Sequence, residues 1–286
     1  MHIFHQAKDL HAHLQVVQAI SQAPIGFIPT MGALHEGHLA LIRAAQAQGC
    51  YTVCSIFVNP TQFNDPSDLE KYPRTPEKDA ELLDKVGCDV IFMPGVDEVY
   101  PPGADHGISL NFGGLDEVME GYFRPGHFKG VAQVVKRLLD LVQPRIIFMG
   151  QKDFQQVAVV RHLIAEKGLH VQLIAVPTVR EADGLAMSSR NVRLSVAARA
   201  KAPAIYQALL QAQKDSAAGA LPDEISEKAM AFLADQGFRP EYFEVVDAGS
   251  LRKVETFEQA NSVVACVATW LENVRLIDNI MLKEAE

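Results

Sequence analysis

Short apolar runs and amphipathic stretches alternate along the first two-thirds of the chain. Residues 25–29 form a compact apolar run, residues 39–47 repeat apolar positions at helical spacing, and residues 51–58 are rich in β-branched side chains. A charged amphipathic segment follows over 76–86, then an apolar run at 90–93 and a helical period over 131–142. Another apolar run at 145–149, a helical segment at 155–165 and a run at 171–176 complete the series. Continuous apolar runs of this length predict strands buried on both faces, and the helical segments between them predict crossovers, so the pattern is that of βαβ units around a parallel sheet. Ligands of such a sheet sit beyond the carboxyl ends of its strands.

After Ser195 the pattern changes. Residues 196–213 read as one Ala-rich helix, 217–222 as a small-residue link and 224–235 as a second helix, with strands at 242–246, 262–269 and 274–281. Helices followed by neighbouring strands predict a small α+β unit. The expected fold class is therefore α/β: a Rossmann-like doubly wound parallel sheet over 1–186, and a smaller C-terminal α+β domain over 187–286 that closes over the site. The break is expected between 185 and 195.

Composition narrows the function classes. The chain has 286 residues, 48% hydrophobic and 21% charged, which suffices for a core at a length where one core begins to divide. Lys and Arg number 26 against 35 Asp and Glu, a net charge of -9; this disfavours a general nucleic-acid binder, because phosphate backbones are held by a basic face. Residues 1–15 lack the basic start and unbroken apolar stretch of a secretory leader, and no segment approaches the ~20 apolar residues that span a bilayer. The expectation is a soluble, cytoplasmic protein with neither nucleic acid nor membrane as partner. Cys50, Cys54, Cys88 and Cys266 stand apart among apolar neighbours, as reduced core thiols do, rather than in a disulfide framework or a CxxC pair.

Chemistry concentrates in Pro29-Thr30-Met31-Gly32-Ala33-Leu34-His35-Glu36-Gly37-His38, between a predicted strand and a predicted helix. Gly32 and Gly37 let backbone approach a ligand, and a helix N-terminus presents unpaired N–H groups to an anion. His35 and His38 share a face if the first turn includes both. The same residues also describe a tight turn that its imidazoles merely cap; zinc is a further rival, short of a third ligand. Asn59, Thr61 and Gln62, with Phe63 beside them, set amide and hydroxyl groups against an apolar wall, which suits a small branched hydroxy acid but also a self-capped Asn-Pro turn. Gly150-Gln151-Lys152-Asp153 likewise ends a strand and opens a helix: Lys152 reaches a phosphate as a point charge, while Asp153 holds a ribose hydroxyl or only caps. Met187-Ser188-Ser189-Arg190 offers two hydroxyls and a guanidinium from between the two units, as a phosphate-binding loop or as a polar linker.

The order strand, HxGH, helix is that of the nucleotidylyltransferase superfamily, and PTMGALHEGHLALI resembles the pantothenate synthetase family. Five further stretches of that family stand in the same order: Phe57-Val58-Asn59-Pro60-Thr61-Gln62-Phe63, Lys71-Tyr72-Pro73-Arg74-Thr75, Arg124-Pro125-Gly126-His127-Phe128, Gly150-Gln151-Lys152-Asp153-Phe154-Gln155-Gln156 and Met187-Ser188-Ser189-Arg190-Asn191. The resemblance implies a Mg²⁺- and ATP-dependent ligase that joins (R)-pantoate to β-alanine through pantoyl adenylate, in pantothenate and coenzyme A biosynthesis, and that forms a homodimer. It implies ATP contacts for Met31, Gly32, Ala33, Leu34, His35, Glu36, Gly37, His38, Gly150, Gln151, Lys152, Asp153, Val179, Met187, Ser188, Ser189 and Arg190, with Val179 at the adenine. Catalytic roles fall to His38, His35, Lys152 and Arg190, and His38 is described in the family as a proton donor. Gln62 is implied to contact both pantoate and β-alanine, and Gln156 to hold pantoate. Asp79 matches the family's magnesium side, and reads equally as an ordinary charge in a helix's first turn; Lys78 stands where some relatives carry an acid and Gln151 where many carry Glu. Transfer of a nucleotidyl group to a phosphate-bearing acceptor and simple nucleotide sensing are the competing activities; the substrate set separates them.

Overall fold

The computed structural model describes residues 1–63 and 66–285. Strands β1 (His2–Phe4), β2 (Ile25–Thr30), β3 (Tyr51–Ile56), β4 (Val90–Phe92), β5 (Ile146–Gly150) and β6 (Gln172–Val176) form a parallel sheet in the order β1-β4-β3-β2-β5-β6. The crossovers carry α1 (Ala7–Ile20), α2 (Glu36–Ala47), α3 (Pro66–Lys71), α4 (Pro76–Lys85), α5 (Val96–Val99), α6 (Met119–Phe123), α7 (His127–Val142) and α8 (Phe154–Glu166). From β2 the chain steps outward through β3 to β4, then returns to the other flank of β2 with β5 and β6. The order reverses between β2 and β5, and a doubly wound sheet opens its ligand crevice at that switch point.

Strand periodicity explains the double burial. Phe27, Val53, Phe92 and Ile147 join a core with Leu10 and Leu14 of α1, Val135 and Leu138 of α7 and Val160 and Leu163 of α8. Their neighbours Ile28, Cys54, Ile91 and Phe148 point the other way, onto Leu39 and Ile42 of α2 and Leu83 of α4. Each strand thus sends alternate residues to opposite layers.

The C-terminal part contains α9 (Val196–Lys201), α10 (Ala204–Ala217), α11 (Pro222–Asp235) and an antiparallel sheet of β7 (Arg239–Asp247), β8 (Val263–Leu271) and β9 (Val274–Lys283), with β8 central. Val263, Ala265 and Val267 face the core of α10 and α11, whereas Val264, Cys266 and Ala268 join the buried cluster of α7. The small sheet is sandwiched, so β8 is apolar without alternation.

The structure alters three sequence readings. The single helix expected over 196–213 is two, because Pro203 lacks the N–H needed to continue α9. Helix α7 begins at His127, ahead of its expected start at 131, after Gly126 enters at φ 83°. Residues 1–24, to which the pattern assigned nothing, form an edge strand and α1. All four cysteines are free and buried. No described helix is long and apolar enough to cross a membrane.

Candidate active site

A cleft opens at the carboxyl ends of β2 and β5. Residues 31–38 leave β2 and start α2, and two imidazoles cap that helix reciprocally. The Gly37 N–H donates to His35 Nδ1 at 3.2 Å, and the His35 N–H donates to His38 Nδ1 at 3.3 Å. A backbone amide can only donate, so both Nδ1 atoms are acceptors and both rings carry their proton on Nε2. The rings lie 4.1 Å apart between centroids. Burial first, then the Lys152 charge, holds His35 down to about 4; burial, His35 and Lys152 hold His38 down to about 3. Both are therefore neutral N–H donors at pH 7. Gly37 is required by the close seat of His35: a Cβ there would lie 2.9 Å from its Cε1.

The loop beneath them is held by Asp79. This carboxylate, 1% exposed, accepts the Ala33 N–H at 2.9 Å, the Leu34 N–H at 2.8 Å and the Thr75 hydroxyl at 3.1 Å. Asp79, expected on the metal side, turns its oxygens onto backbone amides inside the protein and does not line the cleft. Among the described residues, no group of three or more His, Cys, Asp and Glu is arranged to hold a metal ion.

The opposite wall is built by the turn after β3 and by α7. Asn59, 1% exposed, donates to Gln62 Oε1 and to the Gly130 carbonyl, both at 3.2 Å, and accepts from the Tyr100 hydroxyl at 2.9 Å. Gly130 lets α7 press onto the turn, because a Cβ there would sit 2.4 Å from the Thr61 carbonyl oxygen. Thr61 instead hydrogen-bonds Asn59 and does not line the cleft, where Asn59, Gln62 and Phe63 do. His127 donates from Nδ1 to the Gln62 carbonyl at 2.9 Å and accepts from Arg124 at Nε2, 3.1 Å away. Burial and the Arg124 charge lower it to about 4. Phe57, Phe128, Val131 and Val134 supply the apolar part of the wall.

Lys152 and Asp153 line the cleft from a short turn between β5 and α8, with Nζ 3.8 Å from the Asp153 carboxylate. Strand β9 supports this turn: the Asn279 amide donates to the Gln151 and Lys152 carbonyls, each at 2.9 Å. Across the opening, Ser188 accepts the Arg190 N–H at 3.2 Å, Ser189 Oγ lies 3.4 Å from the Tyr72 hydroxyl, and the Arg190 guanidinium lies 5.8 Å from the Tyr72 ring centre. Val179 receives the Met187 N–H at 3.0 Å on its carbonyl.

Met31, His35, Gly37, His38, Gln62, Gly150, Lys152, Asp153, Gln156, Val179, Met187, Ser188, Ser189 and Arg190 all line this one cleft. Gly32, Ala33, Leu34 and Gln151 support it without lining it. The Glu36 side chain is exposed and pairs with Arg43, away from the cleft. Residues 64 and 65, which follow the Phe63 stretch, lie outside the described residues. Sequence reasoning missed Glu120, Tyr242, Asp278 and Asn279, which also line the cleft. Asn279 comes from strand β9, in the segment that offered no motif.

The family profile described as pantoate-beta-alanine ligase matches residues 2–281. Pantothenate synthetase of Bacteroides fragilis is 44% identical over 285 residues, covering 100% of both chains. That of Cereibacter sphaeroides is 48% identical over 257 residues, 90% of this chain and 91% of its own. The crystal structure of pantothenate synthetase from Thermus thermophilus superposes with a TM-score of 0.91 at 40% identity, covering 99% of this chain and 100% of that one. Pantoate-beta-alanine ligase from Francisella tularensis, solved as a complex with beta-gamma ATP and beta-alanine, gives 0.80 at 33% identity, over 99% and 98%. Profile, identity over the full length and fold agree: the chain belongs to the pantoate–β-alanine ligase family.

Proposed function

We propose that this protein condenses (R)-pantoate with β-alanine at the expense of ATP, releasing AMP and pyrophosphate. Family membership supports the reading, and one observation carries the chemistry: two neutral imidazoles, each locked as an Nε2–H donor at the start of α2, share a cleft with Lys152. In the first step a pantoate carboxylate oxygen bonds to the α-phosphorus while the bond to the bridging β-phosphate oxygen breaks, and pyrophosphate leaves. The protein's task is positioning and charge stabilisation. His38 and His35 donate hydrogen bonds to the α-phosphate as charge accumulates; Lys152, Ser188, Ser189 and Arg190 hold the departing phosphates. With its ring proton committed to Nε2–H, His38 acts as a hydrogen-bond donor and not as an imidazolium acid. Gln62 and Gln156 hold the acid, against the apolar wall of α7, and Val179 borders the adenine.

In the second step the neutral amine of β-alanine attacks the acyl carbon of the mixed anhydride. The C–O bond to AMP breaks and the nitrogen gives up a proton to solvent. Asp79 does not fit as a ligand for Mg²⁺, so magnesium belongs to the nucleotide as the counterion of its phosphates, and no step is assigned to a protein-held ion. The same resemblance supports a cytoplasmic homodimer and a division of the chain at 186 and 187. Sedimentation tests the stoichiometry. The function itself is tested by incubating the protein with ATP, Mg²⁺, pantoate and β-alanine and omitting each in turn. AMP formation that requires both acids, with pantothenate identified by mass, is the expected result; a nucleotidylated product, or AMP formed without pantoate, refutes the reading.

A further inference from the structure

Glu120 is a carboxylate with no part in the reaction described above, yet it is 6% exposed and lines the cleft. It sits on α6, and the C-terminal sheet grips it. Arg275 of β9 donates to both its oxygens, at 2.7 and 2.6 Å, and the Tyr242 hydroxyl of β7 donates at 2.9 Å. Arg275 is itself fixed by Glu241, which accepts from its Nε at 2.7 Å while also taking the Trp270 indole N–H. A bidentate guanidinium–carboxylate pair is planar and directional, so it sets orientation as well as distance.

The chain of contacts continues into the site. Glu120 lies 3.7 Å from the guanidinium of Arg124, the residue that follows the end of α6. Arg124 donates to His127 Nε2, which leaves Nδ1–H to hold the Gln62 carbonyl. The Glu120 backbone N–H also donates to Gln155 Oε1 at 3.0 Å, and the Gln155 amide holds the Leu115 and Val118 carbonyls that lead into α6. Every link from Arg275 to Gln62 is thus a polar contact between buried or partly buried groups, where misorientation is costly.

We propose that Glu120 and Arg275 are positioning residues for the acid half of the site: through Arg124 and His127 they fix the turn that carries Gln62. The inference rests on the ligase reading and deepens it, because it makes the C-terminal sheet a structural component of pantoate binding rather than a cover over the nucleotide. The nucleotide half, at residues 31–38 and 187–190, meets this chain of contacts at its far end, where the Gln62 amide donates to Met31 Sδ at 3.0 Å.

The test measures pantoate-dependent pyrophosphate release in Glu120→Gln, Arg275→Met and Arg275→Lys, with separate KM values for pantoate and ATP. Nitrogen-15 spectra of the His127 ring, taken without substrates, give an independent readout. The expected result is a KM for pantoate raised about tenfold or more in Glu120→Gln and Arg275→Met, with ATP KM within about twofold. Arg275→Lys, which keeps the charge but not the fork, falls between them and wild type; it decides the question if Arg275→Met does not fold. The His127 ring is expected as the Nδ1–H tautomer in wild type and as a mixture in Glu120→Gln. A folded Glu120→Gln or Arg275→Lys with unchanged pantoate KM and an unchanged ring spectrum overturns the proposal, as does an equal rise in both KM values. Wild-type protein that releases no pyrophosphate with pantoate refutes the ligase reading instead, while the ring spectra still report on the contact chain.

Discussion

Replacing Asp79 distinguishes a loop anchor from a metal ligand. In Asp79→Ala the Ala33 and Leu34 amides and the Thr75 hydroxyl lose a shared acceptor in a site that is 1% exposed. An unmet buried amide costs about 1–3 kcal/mol, so the two together predict a loss of roughly 2–6 kcal/mol. With an unfolding entropy of about 2.1 cal/mol/K per residue, a chain of this length melts about 3–10 °C lower for such a loss. Asp79→Asn retains one acceptor oxygen but turns an NH₂ toward the second amide, and is expected to lose about 2 kcal/mol. The loop also carries His35 and His38, so turnover should fall about 10²-fold in Asp79→Ala from misplacement alone. The assay pairs thermal melts with a magnesium titration of pyrophosphate release at fixed ATP. A loop anchor lowers Tm and leaves the magnesium requirement within about twofold. Asp79→Asn with a wild-type Tm and a magnesium requirement raised about tenfold would refute the reasoning and restore the carboxylate to the metal.

Three further outcomes follow from the site. His38→Ala should lower pantoate-dependent pyrophosphate release by ~10²-fold or more, the scale of a lost transition-state donor; a rate like that of wild type removes the ring from the chemistry. The depressed values of His35, His38 and His127, about 4, 3 and 4, make stability pH-dependent. Their unfolded forms bind protons near pH 6.5 while the folded forms do not, so stability is complete above that value and declines as pH falls from there toward 4. Each ring contributes up to about 1.4 kcal/mol per pH unit in that window, and melts recorded from pH 7.5 to 4.5 should show Tm descending. A flat profile would mean that the rings are not buried as described. Gly130→Ala should force α7 from the Asn59–Gln62 turn, costing about 1–3 kcal/mol and raising the KM for pantoate more than that for ATP; equal KM values in variant and wild type would show that the turn does not depend on this contact.

Much of this arrangement was legible in the sequence because it is local. Strand, glycine turn and helix follow one another without interruption in residues 25–47, so bringing His35 and His38 together at the start of α2 needed only helical spacing. The same holds for Lys152, at the end of an apolar run and the start of a helical one. Glu36 belongs to the same motif, but the first helical position turns its side chain to solvent, where Arg43 takes it. Asp79 could not be placed by such reasoning. It reads as an ordinary acid in the first turn of a helix, and the two amides it holds lie 45 and 46 residues away. Arg275 and Glu120 are separated by 155 residues; nothing near either one signals the other. The two-sided burial of β8 hid the C-terminal contribution in the same way, as an apolar run carries no mark of which of its faces meets the cleft.

The charges of the cleft explain how a chain of net charge -9 can receive a polyanion. Few of its cations act as bare charge: Arg275 is bound by Glu120 and Glu241, Arg124 lies beside Glu120, and Lys152 beside Asp153. Arg180, outside the cleft lining, is bound by the buried Asp278, which lines it. Under the proposed function, what meets a phosphate beside Lys152 and Arg190 is a set of oriented donors: two Nε2–H groups, the first turn of α2 and the hydroxyls of Ser188 and Ser189. Such donors stabilise developing charge because they are fixed before it forms, and they need no net positive field to do so. A neutral imidazole is also compatible with the second step, in which a nucleophilic amine must stay unprotonated near the same phosphate. Burial of His35 and His38, which looks costly for residues proposed to face an anion, is what keeps them the neutral donors that both proposed steps require.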